Sequence, residues 1–234
     1  MAKPNKDLSE WIDVLDVSEL MSITLGELIE TSAKKFPDTE ALVYSNQPEV
    51  EDIRWTYKDL DEMSSNLAKA FIDAGFNPGD TVGVWGPNHP EWILTEYALA
   101  KAGLRIVTLN PLYKEKELIF ALNTVAAVAI VHADVIGGVI SSDIINSIKN
   151  EIPSLRNTYT FDKGLKNLIN KGEKSNSVLP KVNPNDIFMI QYTSGTTGVP
   201  KAAQMTHQAL ITSSKNSHLR WQISANQKVC HGFP

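Results

Sequence analysis

The sequence predicts an α/β fold in which parallel sheets are covered by helices. Three observations point to it. Apolar, β-rich runs recur at Thr81 to Trp85, Ile106 to Leu109 and Val128 to Val131. The stretches between them place apolar residues at helical spacing, and parallel neighbours require such a crossover. Finally, 234 residues with 42% hydrophobic and 21% charged side chains are enough to bury a sizeable core.

Taken in order, the elements are these. Thr24 and Glu27 have the spacing of a capping box, and Leu25, Leu28, Ile29, Ala33 and Phe36 then share one helical face until Pro37. Apolar runs at Ala41 to Tyr44 and Ile53 to Tyr57 flank a polar turn region and read as a strand pair. Thr56 resembles an N-cap, and Leu60, Met63, Leu67, Phe71 and Ala74 keep helical spacing as far as Gly75. After the turn at Pro78-Gly79-Asp80 comes the first parallel strand, and Asn88 with Glu91 opens the next helix, which Gly103 closes. Asn110-Pro111 makes a turn before a helix marked by Leu118, Leu122 and Val125. Between Lys171 and Pro184 the chain turns polar, which predicts a surface connection and the best internal boundary.

Charge and cysteine content exclude several classes. With 22 Lys plus Arg against 27 Asp plus Glu, the net charge of -5 argues against nucleic acid or an anionic membrane surface as the main partner. Cys230 is the one cysteine, so no intrachain disulfide and no cysteine-rich zinc pattern can form. The first residues hold no apolar signal core, and we expect a cytoplasmic protein. The longest uncharged stretch, Leu118 to Ala133, falls short of the ~20 residues that span a bilayer, so no transmembrane segment is expected.

The chemistry is concentrated in QYTSGTTGVPK, which follows the apolar strand Ile187 to Ile190. Thr193, Ser194, Thr196 and Thr197 crowd their hydroxyls beside Gly195 and Gly198, and Lys201 adds a mobile positive charge. Hydroxyls and open backbone N–H groups donate hydrogen bonds, and glycine lets the main chain curl around a phosphate with no Cβ in the way. These are the parts needed to hold the terminal phosphates of a nucleotide. The loop is not of the GxxxxGK[ST] kind that runs straight into a helix, because Pro200 and Ala202 flank the lysine and the next cap candidate is Thr206.

This sequence resembles the adenylate-forming (AMP-binding) enzymes, a superfamily of acyl-CoA synthetases, coumarate ligases, beetle luciferases and peptide-synthetase adenylation domains. Their hallmark, TSGTTGxPK, is intact from Thr193 to Lys201, and the likeness extends to LNPLYKEKEL at Leu109 to Leu118 and GDTVGVWGPN at Gly79 to Asn88. The stretch GVWGPNHPEW, from Gly83 to Trp92, and the LNPLYKEKEL segment look more like fatty acyl-CoA synthetases, particularly the medium-chain group, than peptide-synthetase domains. The resemblance implies that a carboxylate attacks the α-phosphate of ATP, expels pyrophosphate, and passes its acyl group to coenzyme A. It implies that Ser194 to Thr197 and Lys201 grip the pyrophosphate, with Thr193 nearest Mg2+. The partners implied are a small carboxylic acid, ATP and CoA; the oligomeric state is left open.

By the same resemblance, residues 1–182 form a first α/β subdomain and 183–234 begin a second that is cut short. No Tyr-Gly-x-Thr-Glu segment, no later ribose-binding aspartate and no carboxy-terminal domain with a catalytic lysine are found, so we expect an amino-terminal fragment that is inactive alone. Other adenylate-formers, such as coumarate ligases or luciferase-like enzymes, and a noncatalytic nucleotide-binding half-domain stand as alternatives. Relatives commonly carry glycine after the lysine where this chain has Ala202, which raises a question about the shape of the loop's end. His207 reads as a neutral packing or surface residue, Cys230 as a small buried hydrophobe, and Trp85, Trp92 and Tyr97 as packing. His89, His132, His218 and His231 show no metal-ligand spacing.

Overall fold

The structure is a computed structural model and describes residues 20–45, 52–193, 200–224 and 227–230. Helix α1 (Leu25–Lys35) starts at Thr24, whose hydroxyl accepts from the Glu27 N–H while the Glu27 carboxylate accepts from the Thr24 N–H at 2.7 Å. Strands β1 (Glu40–Tyr44) and β2 (Ile53–Thr56) pair antiparallel. Thr56 and Asp59 build a second reciprocal cap at the head of α2 (Tyr57–Asp73). These two caps each satisfy donors that a helix start would otherwise leave unpaired.

The next strand, β3 (Thr81–Trp85), is buried along its whole length and leads into α3 (Pro90–Lys101). The helix begins one position later than the sequence suggested. His89, not Asn88, is the N-cap, because Pro90 fits the first helical position with its preset φ and missing N–H. Gly103 then takes φ +68°, a conformation that glycine adopts without strain, and turns the chain into β4 (Arg105–Leu109). Helix α4 (Glu115–Thr124) crosses to β5 (Ala129–His132), and a small hairpin of β6 (Val135–Ile136) and β7 (Val139–Ile140) precedes α5 (Ser141–Ile148). Strand β8 (Asn157–Thr160) and α6 (Lys166–Gly172) follow, then the irregular connection, β9 (Ile187–Thr193), β10 (Lys201–Thr206) and α7 (His207–Arg220).

Among the described residues, six strands form one sheet in the order β10-β9-β4-β3-β5-β8. Five run parallel, and β10 alone lies antiparallel at the edge against β9. Side chains alternate between two cores. Val82, Val84, Ile106, Val131 and Phe188 pack with α1, α2, α3 and α6, whereas Trp85, Val107, Leu109, Ile130 and Ile190 pack with α4 and α5. This double cover is why the strands read as continuous apolar runs rather than alternating ones. The sheet continues past residue 182, since β9 hydrogen-bonds β4 with Val107 opposite Ile190. Among the described residues no helix is long and apolar enough to cross a membrane.

Candidate functional site at the carboxyl edge of the sheet

Because β3, β4, β5, β8 and β9 are parallel, their carboxyl ends share one edge, the place where open α/β sheets collect ligands. Strand β9 outruns its pairing with β4 there. The last β4 partner is Thr108 opposite Gln191, and Tyr192 and Thr193 extend beyond. The strand is thus three residues longer than the apolar run Ile187 to Ile190 indicated, and Thr193 ends a strand instead of opening a loop.

Across from it, Lys201 begins β10, and Thr193 and Lys201 are partners in the antiparallel register. The Thr193 hydroxyl lies 3.5 Å from the Lys201 carbonyl, and both residues are exposed. A hydroxyl and an ammonium therefore flank the two ends of one hairpin rung. Ser194, Gly195, Thr196, Thr197 and Gly198, which complete the predicted phosphate-binding set, lie outside the described residues. The strand β10 was not foreseen, since KAAQMT is short and polar, yet its register is what returns Lys201 to the side of Thr193.

Ala202 resolves the question its methyl raised. It stands opposite Tyr192 in regular β structure, outside the left-handed region, and its side chain packs on the core under α4. A glycine's freedom is not needed at this position.

Behind the hairpin, Tyr192 and His207 hold β9 and β10 to the body of the protein. The Tyr192 hydroxyl donates to the Ala121 carbonyl of α4 at 2.7 Å, and its ring is tilted on Phe120 at 6.2 Å between centroids. His207 follows the Thr206 cap, is buried, and stacks on Phe188 at 4.6 Å. Its Nδ1 accepts the Leu25 N–H at 3.3 Å, which requires the neutral ring. Burial pushes its pKa down to about 4, against the smaller pull of Asp186 and Glu27. His207 is thus the packing residue expected, tying α1 to α7.

Elsewhere along the edge, Trp85 donates through its indole N–H to the Asn110 carbonyl at 3.1 Å, a packing role as expected. His89 stacks on Phe161, lies tilted against Tyr44, and brings Nδ1 to the Glu91 carboxylate as an ion pair. His132 is buried with Nδ1 at 2.8 Å from the Ser141 hydroxyl, joining β5 to the start of α5. Cys230 departs from its expectation. It is exposed, because the chain after α7 runs over the surface, where Lys228 meets Glu40 at 2.8 Å. Sequence reasoning also passed over Tyr192; an aromatic hydroxyl in an aliphatic strand was the available signal, since a part-buried phenol seeks a partner.

A mostly parallel sheet covered on both faces, with a hairpin at its carboxyl edge, is the fold class of the amino-terminal domains of adenylate-forming enzymes. The chain belongs to the AMP-binding enzyme family, whose model matches residues 29–234. It is 30% identical over 223 residues to the mitochondrial medium-chain acyl-CoA ligase ACSF2 of Mus musculus, covering 84% of this chain and 35% of that protein. It is 30% identical over 221 residues to the acyl-CoA ligase sidI of Beauveria bassiana (strain ARSEF 2860), covering 90% and 38%. The crystal structure of a long-chain-fatty-acid-CoA ligase (FadD1) from Archaeoglobus fulgidus matches with a TM-score of 0.77 at 24% identity, over 88% of this chain and 40% of that one, a likeness of fold. The chain therefore spans less than half the length of each of these proteins.

Proposed function

We propose that the complete gene product is an acid–thiol ligase that activates a fatty acid, of medium to long chain, with ATP and transfers it to coenzyme A. The observation that carries this reading is the placement of Thr193 and Lys201 on one rung at the carboxyl edge of the sheet, the two ends of TSGTTGVPK. Membership in the AMP-binding family supports it, as do the acyl-CoA ligases among the relatives. The choice of a fatty acid rests on the GVWGPNHPEW and LNPLYKEKEL segments and on the medium-chain relative.

In this reading the ammonium of Lys201 and the hydroxyls and amides of Ser194, Gly195, Thr196, Thr197 and Gly198 hold the β- and γ-phosphates, and take up the charge that the leaving pyrophosphate gains. An exposed hydroxyl and a mobile cation fit that task. Mg2+ would arrive on the triphosphate, as this ion commonly does, and meet the protein at Thr193. Its chemistry is to neutralise the phosphate oxygens. The residues of this chain orient the triphosphate so that the acid meets the α-phosphate in line.

Lys201→Ala in the complete gene product tests this. Acid-dependent exchange of pyrophosphate into ATP should fall by about 10²- to 10³-fold, the effect of losing one preorganised donor. Unfolding temperature should stay the same, because the Lys201 side chain is exposed. Exchange near the wild-type rate would end the proposal.

A further inference from the structure

The hairpin that carries Thr193 and Lys201 has a free side and a fixed side, and the fixed side is α4. Among the described residues β10 is the edge of the sheet, so β9 has a strand neighbour only in β10 once it passes Gln191. Beyond that point the ladder to β4 has stopped, and backbone pairing with the rest of the sheet no longer holds the rung. Among the described residues, the Tyr192 side chain is what ties this stretch of β9 to α4 by a hydrogen bond. Tyr192 reaches α4, where its hydroxyl donates to the Ala121 carbonyl at 2.7 Å, its ring meets Phe120, and the Thr124 side chain stands beside the same phenol. Ala202, directly opposite Tyr192, packs into the same core and brings β10 along.

Helix α4 is itself well fixed. Leu118, Ala121 and Leu122 are buried against Trp85, Val107 and Ile130, and the Glu117 carboxylate accepts the Lys114 N–H at 3.2 Å at the helix start. Its first residues belong to the LNPLYKEKEL segment. Helix α4, which that segment opens, and the QYTSGTTGVPK segment, far apart in the chain, thus meet at Tyr192.

From this arrangement we infer that Tyr192 is a positioning residue for the nucleotide's phosphates: by clamping β9 to α4 it sets where Thr193 and Lys201 stand. It does not touch the ligand. This rests on the phosphate-binding reading of the hairpin given above, and the test separates the two.

The test compares wild type with Tyr192→Phe, which removes the hydroxyl and keeps the ring, in the complete gene product. Amide hydrogen exchange is followed without nucleotide, and pyrophosphate exchange is measured with decanoate as the acid. The loss of one such part-buried hydrogen bond corresponds to about three- to tenfold in an equilibrium. The amides of Thr193 and Lys201, which face each other on one rung, should therefore exchange about three- to tenfold faster, while that of Val84 keeps its rate. The KM for ATP should rise by a similar factor, with the KM for decanoate unchanged. A purely structural role would move both constants together or neither, and either result overturns the inference. So does unchanged exchange at Thr193 and Lys201. Should the wild type itself fail to exchange pyrophosphate or bind ATP, the phosphate-binding reading falls, and the inference falls with it even where the amides respond.

Discussion

At the scale of single residues, the clearest energetic statement concerns His207. Its ring is neutral in the fold, stacked on Phe188 and accepting the Leu25 N–H, with a pKa pushed down to about 4 by burial. In an unfolded chain a histidine titrates near 6.5, so below that pH the unfolded state binds the proton that the folded state refuses. The contribution of His207 is therefore fully present above about pH 6.5 and is lost as pH falls towards 4. The full difference is roughly 3 kcal/mol. His207→Asn keeps an acceptor and cannot titrate in this range. The stability gap between wild type and His207→Asn, from urea unfolding, should be widest at pH 7 and shrink by roughly 3 kcal/mol at pH 4. A gap that stays constant with pH would show that His207 is not held neutral.

At the scale of elements, helix starts and one close approach matter most. Thr24, Thr56 and Thr206 were legible as caps because a hydroxyl three residues before the amide it accepts is a local pattern, and all three make that bond. Asn88 misled because Pro90 outweighs a nearby polar side chain in setting where α3 begins. The seating of α6 on α2 could not be foreseen. A Cβ on Gly172 would lie 1.8 Å from the Asn66 carbonyl oxygen, so the two helices touch backbone to backbone. Gly172→Ala must push them apart. Overpacking of this kind costs about 1–3 kcal/mol and sometimes more, and with backbone as the obstacle we expect about 3 kcal/mol. A loss below about 0.5 kcal/mol in urea denaturation would contradict the contact.

At the scale of the whole molecule, the sheet makes residues on both sides of position 182 depend on one another. Strand β9, which follows the polar stretch between Lys171 and Pro184, pairs with β4 through Met189 and Ile190, both buried. Amides in β9 and in β3 should then share one opening free energy. Native-state hydrogen exchange of Ile190 and Val84 should converge on the same value as denaturant is added, and separate plateaus would mean that residues 183–234 open alone. The sequence by itself determined the α/β class, the three capped helices and the family hallmark, because each is written in spacing over a few neighbouring residues. The tertiary structure decided the strand order, the return of Lys201 to Thr193 along β10, and the clamp of Tyr192 on Ala121. Those depend on pairings between distant segments, and side-chain periodicity within one segment carries no record of the partner it will meet.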